Sequence, residues 1–235
     1  MIAQTLLARL HDRSILRDAG LVAGQWRHQS RSQATFGMID PATGDLIARL
    51  PDMGAAETAE AIAAAQVAQA DWAERTGKER AALLRRLHDL MVTHADDLAT
   101  LATAEMGKPW PEARGEVLYG ASYVEWFGEE AKRIYGETIP GHRRDSRLMV
   151  IRQPVGVVGA ITPWNFPNAM LCRKLAPALA AGCAVVAKPA EQTPLSAIAL
   201  AVLAERAGLP PALFSVITGT DGPAIGQEMC RNPLL

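Results

Sequence analysis

The second half of the chain constrains the fold most. From Pro154 onward, apolar runs alternate with helical stretches: "PVGVVGAI", a helix from about Pro167 to Ala181 closed by Gly182, "CAVVAK", a helix from Pro194 to Ala207 closed by Gly208, and "LFSVI". A Gly-rich turn then opens another helix near Pro223. Near-continuous Val- and Ile-rich runs suit strands buried on both faces, and strands that alternate with helices join as parallel neighbours through crossovers. The predicted architecture is therefore α/β, with a doubly wound parallel sheet whose ligands bind outside the carboxyl ends of the strands.

The first half supplies a cover for that sheet. "LVAGQWRHQ" and "TFGMIDPATGDLIARLP" are short apolar stretches broken at Gly24, Pro41 and Gly44, which predicts small antiparallel strands forming an arm. Ala59, Ile62, Ala63 and Trp72 fall at helical spacing from Ala55 to Glu74. A second helical run from Lys78 carries Leu83, Leu87, Leu90, Leu98 and Leu101 up to the stop signal of Gly107 and Pro109, and a third from Pro111 to Ile134 carries Val117, Val124, Trp126 and Phe127. After "TIPGHRRDS", "RLMVI" predicts one more extended strand.

Composition narrows the partners. A formal net charge of -1 over 235 residues gives no global field to draw nucleic acid or an anionic membrane, and no apolar run is long enough to span a bilayer. The N-terminal stretch is interrupted by Asp12 and Asp18 and does not read as a signal peptide. Cys172, Cys183 and Cys230 lack the paired spacing of a zinc site, so no metal is expected, and an odd number of cysteines fits a reduced, cytoplasmic setting. A small molecule or a second copy of the chain is the expected partner.

Two strand ends carry the chemistry. The first apolar strand ends at Ile161, so Thr162, Pro163, Trp164 and Asn165 fall where a doubly wound sheet places its ligand. Pro163 and Pro167 restrict the backbone on either side of Trp164-Asn165-Phe166, and a rigidly held Asn amide is a suitable donor to a developing oxyanion. The same residues could instead cap the following helix (Asn165) and fill the core (Trp164). At the next strand end, Lys188 and Glu191 flank Pro189-Ala190. A Glu in that position can accept both hydroxyls of an adenosine ribose and repel a 2′-phosphate, favouring NAD over NADP; a loop salt bridge is the plainer alternative. The usual G-x-G-x-x-G fingerprint is missing: "GVVGAI" lies inside a strand and "TGTDGPAIG" has other spacings.

Taken together, "DPATGDLIA", "ITPWNFP", "RKLAPALAAGCAVVAKPAEQTPLSA" and "LAERAGLPPALFSVITG" resemble the aldehyde dehydrogenase superfamily, over almost the whole chain. "RTGKERAALLRRLHDLM", "EMGKPWPEARGEVLYGASYVEWFGEEAKRIYGETIPG" and "AMLCRK" look most like its succinate-semialdehyde dehydrogenase branch. The resemblance implies a Rossmann-like NAD-binding domain that lacks the glycine fingerprint. It implies Asn165 as the oxyanion donor, and Ile161, Thr162, Pro163, Trp164, Lys188, Pro189, Glu191 and Gly219 as cofactor contacts. It also implies Arg173 as a contact to a substrate's distal carboxylate, a task that suits a guanidinium fork. The domains implied are 1–136, an arm and helical layer; 137–153, the start of an oligomerisation arm, hence a homo-oligomer; and 154–235, the first part of the NAD-binding domain.

The same resemblance implies that the family's thiol nucleophile and general-base Glu lie beyond "CRNPLL", so the catalytic domain is missing and the chain alone is expected to be inactive. All three cysteines are expected to be inert core thiols. Two functions follow: the amino-terminal, cofactor-binding part of an enzyme that oxidises succinate semialdehyde or a related aldehyde with NAD, or an inactive nucleotide-binding or partner-pairing fragment.

Overall fold

The computed structural model describes residues 1–235. A short helix α1 (Gln4–Leu7) precedes β1 (Gly20–Val22), β2 (Gln25–Arg27), β3 (Thr35–Ile39) and β4 (Leu46–Pro51). Four helices follow: α2 (Ala55–Glu74), α3 (Gly77–Thr93), α4 (Ala95–Met106) and α5 (Trp110–Glu130). A hairpin of β5 (Glu137–Pro140) and β6 (Arg147–Val150) leads into β7 (Val157–Ile161), α6 (Ala169–Ala181), β8 (Ala184–Lys188), α7 (Leu195–Arg206), β9 (Phe214–Val216) and α8 (Gly222–Arg231).

The α/β architecture expected from the second half is present: β7, β8 and β9 are parallel and joined by α6 and α7. The main sheet has five strands in the order β2-β1-β9-β8-β7, because the β1–β2 hairpin adds to it antiparallel through Leu21 opposite Val216. Of the first four strands only β3 and β4 stand apart, as a separate two-stranded ladder; β5 and β6 form a second one. β8, central and flanked on both sides, is buried throughout, whereas β7 lies at the sheet edge and ends at a half-exposed Ile161.

Helices cover both faces. α2 crosses β1, β7, β8 and β9 with α8 beside it; α6 and α7 pack on the other face, and α3, α4 and α5 form an outer layer against them. One continuous core of 57 buried residues joins sheet and layers, so the amino-terminal helices fold with the parallel strands and not as a detached arm. Trp72 and Gln69 lock the end of α2 to the far side of the sheet by donating to the Leu179 and Gly182 carbonyls at 3.0 Å each.

The helical layer differs from the sequence reading in three places. The run from Lys78 to Leu101 is two helices that meet at His94, where the Leu90 carbonyl receives both the His94 amide and its ring Nδ1. The buried stripe of α2 is Thr58, Ala61, Ile62, Ala65, Gln69 and Trp72, with Ala63 on the exposed side. Trp126 points into solvent at 64% exposure, while Val117 and Val124 are buried. Helix ends follow ordinary rules: Thr76 and Glu79 form a capping box at α3, and Gly107 and Gly182 close α4 and α6 at positive φ.

Candidate functional site

The ends of β7 and β8 lie side by side. Ile161 pairs with Lys188, and the Thr162 amide donates to the Lys188 carbonyl at 3.1 Å. Beyond them opens a cleft of about 540 Å³ lined by Trp164, Glu191, Gln192, Thr193 and Thr220, closed on its other side by Phe36 and Met38 of β3 and by Glu105 at the end of α4. Trp164 is 52% exposed and Asn165 is exposed beside it, with no hydrogen bond to its side-chain amide. Both parts of the plainer alternative therefore fail: Trp164 is not core, and the residue at the α6 N-cap is Asn168, not Asn165.

Lys188 is buried, and its ammonium donates to Glu191 Oε2 at 3.0 Å. The Glu191 side chain is 41% exposed, so the pair leaves carboxylate surface turned to the cleft and is not spent on itself. Burial opposes the charge, but hydrogen bonds from its own backbone, Lys188 and Gln192 outweigh it and hold the Glu191 carboxyl below its ordinary value. Glu191 is thus an ionised, accessible hydrogen-bond acceptor beside the Lys188 ammonium.

None of the remaining expected positions lines this cleft. Thr162 is buried, Pro163 is exposed and Pro189 is buried. Gly219 must be glycine for packing: a Cβ there would meet the Met53 carbonyl, and it is the next residue, Thr220, that lines the cleft. Arg173 lies outside the cleft lining, exposed on α6 with its guanidinium 5.4 Å from the Tyr123 ring centroid. Cys172 and Cys183 are buried, and burial together with the Glu116 charge pushes the Cys172 thiol far up, away from any nucleophilic role. Cys230 corrects the expectation of three core thiols: it is exposed, on the outer side of α8.

Three charged residues that were not singled out by sequence support the site from beneath. Glu105, wholly buried, accepts from the Leu195 amide at 2.7 Å and from the Ser196 amide and hydroxyl at 3.0 and 2.5 Å, at the start of α7. Burial pushes its carboxyl up to about 8 against the pull of those donors. Glu116 accepts from the Asn168 and Ala169 amides at 3.0 and 3.2 Å at the start of α6. Lys108 donates to Glu116 at 2.5 Å and to the Asn165 carbonyl at 3.0 Å. A signal for the acids existed: Glu105 continues the Leu98–Leu101–Ala102 face of α4, and Glu116 lies on the Ala113–Val117–Gly120 face of α5, so helical spacing puts both carboxylates on buried stripes.

Residues 26–235 match the aldehyde dehydrogenase family. The chain belongs to that family. It is 56% identical over 227 residues to a glutarate-semialdehyde dehydrogenase of Pseudomonas aeruginosa and 54% identical over 227 residues to an NADP(+) succinate-semialdehyde dehydrogenase of Escherichia coli. Each of these alignments covers 97% of this chain and 47% of the relative, so the chain spans about half the length of the curated relatives it matches. Among solved structures, a succinate-semialdehyde dehydrogenase from Burkholderia pseudomallei superposes with a TM-score of 0.94 at 53% identity, covering 96% of this chain and 46% of that one. The family uses NAD or NADP, and the relatives named here are aldehyde-oxidising enzymes of the semialdehyde type.

Proposed function

We propose that the chain is the amino-terminal, cofactor-binding portion of an NAD-dependent dehydrogenase that oxidises succinate semialdehyde, or a dicarboxylic semialdehyde close to it, to the acid. The observation that carries this reading is the single cleft at the ends of β7 and β8 that takes Trp164 from one strand end and Glu191 from the next, with Asn165 exposed beside it. In this reading Glu191, supported by Lys188, accepts both adenosine ribose hydroxyls, and Ile161, Thr162, Pro163 and Trp164 border the cofactor. NAD, when bound, supplies the hydride acceptor. Asn165 donates to the oxygen of the aldehyde as negative charge grows on it, and Arg173 pairs with the distal carboxylate.

The thiol nucleophile and the general base come, in this proposal, from polypeptide outside these 235 residues. None of the three cysteines here is suitably placed: two are buried and Cys230 lies on α8, outside the cleft lining. The exposed β5–β6 hairpin, with Met149 and Ile151 at 75% and 64% exposure, supports an assembly role for 137–153 in a homo-oligomer, and three free cysteines support a reduced, cytoplasmic setting.

The cofactor reading is tested by titrating the chain with NAD and with NADP and following tryptophan fluorescence, with Trp164→Phe as the control for signal origin. NAD gives saturable quenching and binds more tightly than NADP. Glu191→Ser weakens NAD binding about tenfold or more, as expected for loss of a charged acceptor, and narrows the gap to NADP. An unchanged preference in Glu191→Ser removes Glu191 from the ribose site.

A further inference from the structure

Asn165 has a side chain that nothing in the chain holds; its direction is set by its backbone alone. Pro163 and Pro167 each fix one φ, which leaves the peptides between them to be oriented by hydrogen bonds. Only two side chains hydrogen-bond to the backbone from Pro163 to Ala169, and they are each other's partners. Lys108 donates to the Asn165 carbonyl at 3.0 Å, and Glu116 receives the amides of Asn168 and Ala169 at 3.0 and 3.2 Å. The two are joined at 2.5 Å, with side chains 8% and 1% exposed. The Lys108 ammonium also lies 3.9 Å from the centroid of the Phe166 ring, the residue between the two grips.

We propose that the Lys108–Glu116 ion pair is a positioning device that clamps the 165–169 segment at both ends and thereby fixes the direction of the Asn165 amide beside the cleft. The inference rests on the reading of Asn165 as the oxyanion donor, and it assigns Lys108 and Glu116 no contact with substrate or cofactor. A buried ion pair adds little net stability over well-packed apolar residues, but it fixes a geometry. Here the geometry fixed is that of one exposed carboxamide. The pair arises where the Gly107-Lys108-Pro109 link between α4 and α5 turns back toward the start of α6. Gly107, at φ 81°, closes α4, and Glu116 sits on the buried face of α5 two helical turns on.

The test has two arms. In the chain itself, hydrogen exchange followed by mass spectrometry compares wild type with Lys108→Met and with Glu116→Gln; the second keeps an oxygen for the α6 amides but deprives Lys108 of its counter-ion. Exchange across 164–169 rises about tenfold or more in both variants while α2 and the β8–β9 region keep their protection. Unchanged exchange in 164–169 in whichever variant folds overturns the clamp. In a catalytically active polypeptide containing this chain, Lys108→Met lowers kcat at least tenfold with KM within twofold, and Lys108→Met combined with Asn165→Ala falls no further than Asn165→Ala alone. Losses that multiply in the double variant overturn positioning through Asn165. Failure of the parent reading shows separately, as an Asn165→Ala enzyme with unchanged kcat alongside a loop that still loosens in the exchange arm.

Discussion

Replacing Asn165 by alanine separates a catalytic donor from a structural residue, because the two roles leave opposite marks on stability. Capping a helix is worth about 0.5–2 kcal/mol, and burying a side chain in the core more. Asn165 does neither: it is exposed, its amide has no partner within the chain, and the first amides of α6 are taken by Glu116. Asn165→Ala is therefore expected to change stability by less than about 0.5 kcal/mol, as for surface substitutions generally. For a chain of this size that shifts Tm by no more than about 2 °C. Loss of one oxyanion donor costs about 10²–10³ in kcat, roughly 3–4 kcal/mol of barrier. Thermal unfolding of the chain followed by circular dichroism gives the first number, and steady-state oxidation of succinate semialdehyde by a catalytically active polypeptide containing it gives the second. A Tm lowered by several degrees with kcat intact refutes the argument, since it returns Asn165 to a structural role.

Two further outcomes follow from burial and charge. Titration with a thiol reagent under native conditions modifies one cysteine per chain, Cys230, and the other two only on unfolding, because Cys172 and Cys183 are buried; labelling of Cys172 in the folded chain contradicts the core as described. Glu60 is held at about 2, first by its hydrogen bonds to Arg27 and then to Arg31. Its folded value lies below the unfolded 4.5, so its contribution is present above about 4.5 and is lost as pH falls toward about 2. Glu60→Gln therefore flattens the acid side of the Tm-against-pH curve between those values, and a curve of unchanged slope removes Glu60 from acid sensitivity.

The parallel strands and their crossovers were legible because each apolar run ends in a glycine or proline that an α-helix or strand must respect, as at Gly182, Gly208 and Pro194. The pairing of β1 with β9 was not. Three residues, Gly20–Val22, join the sheet through a single register contact separated by almost the whole chain, and nothing local encodes such a pairing. The break at His94 was hidden for a different reason: the Leu stripe runs through it, and only the His94 backbone, at φ -100° and ψ 20°, leaves the helical conformation. Of the residues proposed for the site, the exposed ones other than Arg173 lie at strand ends and between bracing prolines, features plain in the sequence. Of the buried ones, Glu105 and Glu116 could be found only by asking why carboxylates stand on apolar helix faces, and Lys108, in the link between α4 and α5, carried no such signal.

Those same carboxylates account for the missing glycine fingerprint. In the usual dinucleotide fold, glycines let a pyrophosphate approach the amides that open the helix after a parallel strand. Here all three such openings are already filled: Glu116 on Asn168 and Ala169 at α6, Glu105 on Leu195 and Ser196 at α7, and Asp221 on Ala224 at α8, at 2.7–3.2 Å. Glu105, although pushed toward its neutral form, occupies its amides all the same. At α6 and α7 a phosphate would have to push a buried carboxyl group, Glu116 or Glu105, off the amides it accepts from, and at α8 the exposed Asp221, so the glycines that would admit it have no purpose. The expected consequence is that this chain grips the nucleoside and not the phosphates: calorimetric titration gives adenosine and ADP affinities within about tenfold of each other, a difference of roughly 1.4 kcal/mol. ADP binding about a hundredfold or more tighter than adenosine would mean that a helix opening is available to phosphate after all, and that the capping carboxylates move aside when nucleotide arrives.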